Sequence, residues 1–263
     1  LTGILTPDQG TAKICGYDLR TELTQIKSKV SLVPQEIALY QELSAMDNLK
    51  FFARLYHLST REEKKRIEEV LEVVQLKEWS KKKVANYSGG MKRRLNLAIG
   101  LLNHPWIIFL DEPTVGVDPQ SRNHIFESIR HLVTEMKLTV FYTTHYMEEA
   151  QTLCNRVAIY DHGKVVALGT PEELISGNGA IYIEVEINTL PEQILSQILK
   201  LPSVKQAEYS AGILTVTLCD LVQGTVETLS LLQTNEIAVV SMRVQEQNLE
   251  QVFLKLTGKS LRD

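Results

Sequence analysis

Apolar positions along this chain follow two periods that alternate. Short unbroken runs, Val30–Pro34 and Ile107–Leu110, read as strands buried on both faces of a sheet, and Ala12–Gly16 reads as a third short strand. Between them Met46–Leu55 and Arg61–Val74 repeat apolar residues every three or four positions, the period of a helix with one buried face. The charges Glu62 to Arg66 occupy the solvated side of the second. From Met91 a further stripe, Leu95, Ala98 and Leu102, predicts a helix whose N-terminus carries Ser88-Gly89-Gly90.

A strand–helix alternation follows: strand Ile107–Leu110, helix Arg122–Glu135, strand Thr139–Thr143 and helix Met147–Leu153. This is the rhythm of a mostly parallel sheet covered on both faces. Val157–Tyr160 and Val165–Leu168 flank Asp161-His162-Gly163-Lys164, a hairpin with glycine in its turn, and Ser176-Gly177-Asn178-Gly179 reads as a linker. Beyond it the order is strand 181–187, helix 191–199, strands 204–209 and 213–218, helix 222–233 and strand 237–244. That order predicts a small ferredoxin-like α+β domain. A last helix, Asn248–Leu256, places Leu249, Val252, Phe253 and Leu256 on one face. The expected division is residues 1–175 and 180–263.

At 263 residues and 44% hydrophobic content there is ample material for a packed core. A net charge of −4 argues against general affinity for nucleic acid or anionic lipid. Cys15, Cys154 and Cys219 are widely spaced and lack metal-ligand spacing, as suits free thiols in a reducing compartment. No apolar run approaches the roughly 20 residues that span a bilayer, so a membrane role would need a separate spanning partner.

The candidate chemistry lies at the end of the run Ile107–Leu110, where Asp111 and Glu112 stand side by side before Pro113. Carboxylates at the C-terminal end of a buried parallel strand sit where open α/β sheets bind ligands. Asp111 is suited to hold Mg²⁺, and Glu112 to orient or deprotonate a water. Ser88-Gly89-Gly90 offers a hydroxyl and open backbone N–H groups at a helix start, the features a phosphate needs. Taken singly, each motif also has a plainer reading: a polar strand end, a capped turn, a surface histidine at His145.

In combination, Gln35 after a strand, Ser88-Gly89-Gly90, Asp111-Glu112, Asp118 and His145 resemble the ATP-binding-cassette (ABC) ATPases. The resemblance runs from Leu1 to about Thr170 and includes Tyr40-Gln41-Glu42-Leu43-Ser44 with Asn48-Leu49. The last helix resembles the tail of exporter ATPases of the daunorubicin-resistance type. It implies an α/β P-loop NTPase-like core with a helical subdomain, joined to the ferredoxin-like domain.

By that resemblance Gln35 contacts Mg²⁺ or water and senses the membrane partner, and Ser88, Gly89 and Gly90 grip the opposite subunit's ATP. Asp111 is the metal residue, Glu112 the catalytic base, Asp118 the aspartate that crosses the dimer, and His145 the switch histidine. The cofactors are then ATP and Mg²⁺, and the partners a transmembrane permease and a second cassette, in a homo- or heterodimer, with no nucleic acid. The site would lie peripherally on the cytoplasmic face of the membrane. Two alternatives stand beside export: a soluble non-transport ABC ATPase, and a degenerate cassette that dimerises or regulates. Tyr87 and Met91 depart from the family's usual leucine and glutamine.

No G-x-x-x-x-G-K-[ST] phosphate loop occurs in these residues; the Leu1–Leu5 segment would correspond to the end of the helix that follows that loop. The strand before the loop is expected beside Ile107–Leu110, and its absence is expected to favour instability, association or domain swapping. About four missing charge-assisted hydrogen bonds, at roughly 1.5–3 kcal/mol each, outweigh much of a micromolar affinity, about 8 kcal/mol. The 263 residues by themselves are therefore expected to bind Mg-ATP negligibly and to be ATPase-incompetent. Isothermal titration checks this, and micromolar binding overturns it.

Overall fold

A computed structural model describes residues 2–178, 181–245 and 248–258. The chain divides into two compact units, residues 1–145 and 146–263.

In the first unit, β1 (Lys13–Ile14) and β2 (Tyr17–Asp18) pair antiparallel. The run expected as one strand, Ala12–Gly16, is thus broken, because Cys15 at φ 53° and Gly16 at φ 86° turn the chain back on itself. The short α1 (Leu23–Lys27), which the hydrophobic pattern did not announce, leads to β3 (Val30–Val33). Next come α2 (Ala45–Leu55), α3 (Thr60–Val73) and α4 (Gly89–Leu101), then β4 (Ile107–Asp111), α5 (Pro119–Thr134) and β5 (Thr139–Thr143).

The central sheet has the order β3-β4-β5, all parallel. Strand β4 is nearly continuous in apolar residues because both of its faces are covered, Ile108 and Leu110 in one cluster and Phe109 in another, and it is paired on both edges. That pairing corrects one expectation: no further strand fits beside Ile107–Leu110, since a strand has two hydrogen-bonding edges and β3 and β5 take both.

Helices α2, α3, α4 and α5 and the inner face of the sheet share one core that includes Leu49, Ile67, Leu71, Leu95, Ile108, Leu110, Ile125 and Leu132. A smaller cluster of Ile14, Leu19, Ile26, Val30 and Phe109 joins the hairpin and α1 to β3 and β4. The helix starts are capped as their sequences dictate. Ser44 and Ser59 accept from Asp47 and Glu62 N–H, the latter in a reciprocal capping box. Buried Asn48 ties down the preceding loop, accepting from the Tyr40 N–H at 2.9 Å and donating to the Tyr40 and Ser44 carbonyls.

In the second unit, α6 (Met147–Leu153) precedes the hairpin of β6 (Val157–Asp161) and β7 (Lys164–Gly169). Its two-residue turn places His162 at φ 45° and Gly163 at φ 76°, a backbone for which glycine is suited. Helix α7 (Pro171–Asn178) occupies most of the expected linker: Ser176-Gly177-Asn178 are its last residues, and Gly179 lies outside the described residues. Capping by Thr170, which exchanges hydrogen bonds with Glu173, starts this helix and outweighs the local glycine.

Strand β8 (Ile181–Ile187), α8 (Glu192–Ile198), β9 (Val204–Ser210), β10 (Ile213–Leu218), α9 (Leu221–Thr234) and β11 (Val239–Gln245) follow. Their antiparallel sheet has the order β11-β8-β10-β9, the ferredoxin-like arrangement expected from the element order. Its core holds Ile183, Val185, Ile198, Leu214, Val216 and Leu232. The last helix, α10 (Leu249–Thr257), buries Leu249 and Val252 with Ala150, Val157, Ile159 and Leu174. That packing gathers residues 146–178 with the C-terminal segment, so the compact units divide about thirty residues before the sequence-based boundary.

Tyr87 sits at the turn before α4, buried, with its hydroxyl donating to the Trp79 carbonyl at 2.8 Å and its ring edge-on to the indole at 6.2 Å. Burial pushes its phenol up to about 12, from an ordinary value near 10. Since the folded state favours the neutral phenol, this contribution is complete below pH ~10 and is lost as pH rises through about 12. Tyr87→Phe, which removes one of the two hydrogen bonds to the Trp79 carbonyl and leaves that from the Lys82 N–H at 2.8 Å, is expected to cost about 0.5–1.5 kcal/mol in urea unfolding at pH 7. The gap to wild type should narrow toward pH ~12; a gap that is constant across that window overturns the assignment.

Candidate nucleotide-hydrolysing site

Register brings the candidate residues together. Asp111, the last residue of β4, lies level with Thr143, the last of β5, while β3 ends at Val33, two residues before Gln35. Three parallel strands therefore deliver Gln35, Asp111-Glu112 and His145 to one end of the sheet, as open α/β sheets do for their ligands.

Glu112 is the hub. Its carboxylate accepts from Gln35 Nε2 at 3.0 Å through Oε2 and meets His145 Nδ1 at 3.1 Å through Oε1. Its backbone lies at φ 44°, a left-handed conformation that costs a non-glycine residue about 1–2 kcal/mol. The Glu112 N–H donates to both the carbonyl and the hydroxyl of Thr143 at 3.2 Å, and its carbonyl accepts from Val115. These bonds hold the turn that lifts the carboxylate off the strand and toward Gln35 and His145.

Asp111 is exposed, and its Oδ1 accepts from the Thr143 hydroxyl at 2.7 Å. That bond fixes the carboxylate plane while Oδ2 remains to face a ligand. Gln35 engages Glu112 through its amide nitrogen, which leaves its carbonyl Oε1 as an oxygen donor. Asp111 and Gln35 thus offer the hard oxygen ligands that suit Mg²⁺. Among the described residues no cluster of three or more His, Cys, Asp or Glu is arranged to hold a metal, so such an ion would complete its shell with phosphate and water oxygens.

Ser88, Gly89, Gly90 and Asp118 form a second group. Ser88 caps α4, accepting from the Met91 N–H at 3.2 Å, and both Ser88 and Gly89 are exposed at the helix start. A Cβ at Gly89 would meet nothing within 4 Å, whereas one at Gly90 would lie 2.2 Å from Ser121 Cβ. The two glycines therefore differ: Gly89 leaves an open approach to the backbone, and Gly90 permits close packing on α5. Asp118 caps α5, and hydrogen bonds from the Ser121 backbone N–H first, and its hydroxyl next, hold its exposed carboxyl below the usual aspartate value. Ser121 thus ties the two motifs together. Met91, in place of the usual glutamine, packs against the core of the first unit.

Two contributors escaped the sequence reading. Thr143 was visible only as a strand residue; its signal would have been a hydroxyl at the C-terminal end of a strand neighbouring Asp111. Arg93 gave no local signal, because its partners, the carbonyls of Gln35 and Val115, lie 58 and 22 residues away.

A buried parallel sheet ending in a metal-suited carboxylate, a braced second carboxylate and a histidine, with an open glycine at a helix start nearby in sequence, defines a nucleotide-hydrolysing α/β cassette. Residues 1–115 match the family model described as ABC transporter. The whole chain is 41% identical to the linearmycin resistance ATP-binding protein LnrL of Bacillus subtilis (strain 168), covering 85% of that protein. It is 35% identical to the daunorubicin resistance ATP-binding protein DrrA3 of Streptomyces coeruleorubidus, covering 83% of it. Among solved structures, a dimeric ATP-binding cassette in a post-hydrolysis state with ADP and Pi superimposes with a TM-score of 0.56. That match has 27% identity and covers 64% of this chain and 76% of the other. The chain belongs to the ABC transporter family, as an ATP-binding, ATPase-type subunit.

The contrast between the glycines is testable by thermal unfolding. Gly90→Ala is expected to destabilise by about 1–3 kcal/mol through overpacking on Ser121, and to cost less in a Ser121→Gly background than in wild type, each compared with its own parent. Gly89→Ala, facing open space, should leave the melting midpoint unchanged. Equal stability of Gly90→Ala and wild type overturns the packing assignment.

Proposed function

We propose that this chain is the ATPase subunit of an exporter, energising transport through a separate permease from the cytoplasmic face of the membrane. The observation that carries the reading is the Gln35–Glu112–His145 constellation, in which one carboxylate is braced from both sides at the end of a parallel strand. Similarity along the full chain to the linearmycin and daunorubicin resistance proteins, and 35% identity to a Nod factor export ATP-binding protein of Cupriavidus metallidurans, supports export over other roles. Among the described residues no helix is long and apolar enough to cross a membrane, in keeping with a partner that does.

In this reading Glu112 orients and deprotonates the attacking water, with His145 and Gln35 fixing its two oxygens. Asp111 and Gln35 hold Mg²⁺, which supplies charge neutralisation at the phosphates. Ser88, Gly89 and Gly90 at the start of α4, with Asp118, act on nucleotide held by a second cassette, in a homo- or heterodimer. Residues 1–175 serve as the ATPase domain and 180–263 as an accessory domain.

In the full-length subunit, Glu112→Gln should keep its contacts with Gln35 in part and retain Mg-ATP binding, while turnover falls by about 10²–10⁴-fold, as for loss of a general base. Phosphate release and nucleotide binding measured side by side test this. Turnover near the wild-type rate rules out Glu112 as the base.

A further inference from the structure

Arg93 lies on the first turns of α4, five residues after Ser88, and belongs to none of the motifs that mark the family in this sequence. Its guanidinium donates from Nη1 to the Gln35 carbonyl and from Nη2 to the Val115 carbonyl at 3.2 Å. Each of those carbonyls belongs to a loop that carries part of the hydrolytic pair. Gln35 reaches Glu112 with its side chain at 3.0 Å, and Val115 closes the turn on Glu112, its N–H donating to the Glu112 carbonyl at 3.3 Å.

One planar fork therefore spans the loop after β3 and the turn after β4, on a helix that starts at Ser88. The neighbouring Asn96 adds a bond of the same kind, from Nδ2 to the Pro34 carbonyl at 3.3 Å, so α4 grips the Gln35 loop at two points one turn apart. Partial burial lowers the Arg93 guanidinium's pKa, and the Glu112 carboxylate works against that shift, which places the arginine within the field of the reacting carboxylate. Lysine cannot reproduce the arrangement, because a single ammonium lacks the fixed two-pronged geometry that reaches two separate carbonyls.

We propose that Arg93 is a positioning residue for hydrolysis: it sets the Gln35–Glu112 contact and ties it to the helix whose N-terminus bears Ser88-Gly89-Gly90. A shift of α4 when its N-terminus engages nucleotide is thereby passed to both loops of the same chain through one side chain. This rests on the reading of Glu112 as the base.

The test uses the full-length subunit with steady-state ATPase kinetics and thermal unfolding. Arg93→Met, which keeps the stem and removes the donors, should lower kcat by about tenfold or more with KM for ATP within about threefold, since a small misplacement of reacting groups costs that much. Arg93→Lys should recover only part of the loss. Because Arg93 acts largely through Gln35, the Gln35→Ala/Arg93→Met double variant should lose about tenfold less than the product of the single losses. Wild-type kcat in Arg93→Met, full recovery by lysine, or strict additivity overturns the proposal. If Arg93→Met melts well below wild type, the Arg93→Lys variant carries the kinetics and the additivity cycle in its place. Glu112→Gln, assayed in parallel, separates the two levels. An active Glu112→Gln sinks the hydrolytic reading itself, whereas an inactive one beside wild-type-like Arg93 variants sinks only the role of Arg93.

Discussion

The parallel pairing of β4 with β3 on one edge and β5 on the other is the constraint on which the first unit depends. Parallel strands align their C-terminal ends, so three segments far apart in sequence release Gln35, Asp111-Glu112 and Thr143–His145 at one end. Cover on both faces of the sheet explains why Ile107–Leu110 is so apolar, with Ile108 and Leu110 facing the helices and Phe109 the smaller cluster beneath the hairpin. A one-residue slip between β4 and β5 would separate the Thr143 hydroxyl from Asp111 and reverse the faces of every core residue on the strand.

Around that end, the structure invests unfavourable backbone geometry in one residue. Glu112 adopts a left-handed conformation that the Thr143 hydrogen bonds and the Val115 turn hold in place. Strain of this kind persists only where the surroundings over-determine it, and it concentrates at functional sites. Here it directs a carboxylate toward an amide and an imidazole rather than along the strand. Helix α4 contributes to the same end from the other direction, with Ser88 and Gly89 open at its start and Arg93 and Asn96 on the backbone of the Gln35 loop.

The second unit is organised by different physics. Its ferredoxin-like sheet alternates along β8, with Ile183, Val185 and Ile187 inward against Ile194 and Ile198 of α8 and Leu232 of α9, and Glu184 and Glu186 on the opposite face. Helix α10 closes the hydrophobic cluster formed with α6, the β6–β7 hairpin and α7, giving the exporter-like tail a packing role in this unit. That packing involves residues distant in sequence, and so the compact boundary falls before α6 and not at the glycine-rich stretch after Ile175.

The sequence by itself determined the elements whose signals are local. Strand Thr139–Thr143, helix Met147–Leu153 and strand Ile213–Leu218 follow from period and turn chemistry, as does the ferredoxin-like order. The chemistry of Asp111-Glu112 was legible too, because its meaning comes from a strand end and a set of motifs in fixed order. Tertiary structure decided whatever depends on partners remote along the chain. It filled both edges of β4, extended α7 through Ser176-Gly177-Asn178, split the Ala12–Gly16 run into a hairpin and assigned Gly90 to packing against Ser121. It also brought in Thr143 and Arg93, whose side chains bond to groups tens of residues away. Periodicity reports which face of an element is buried; only the folded chain fixes what that face, or a guanidinium at its margin, meets.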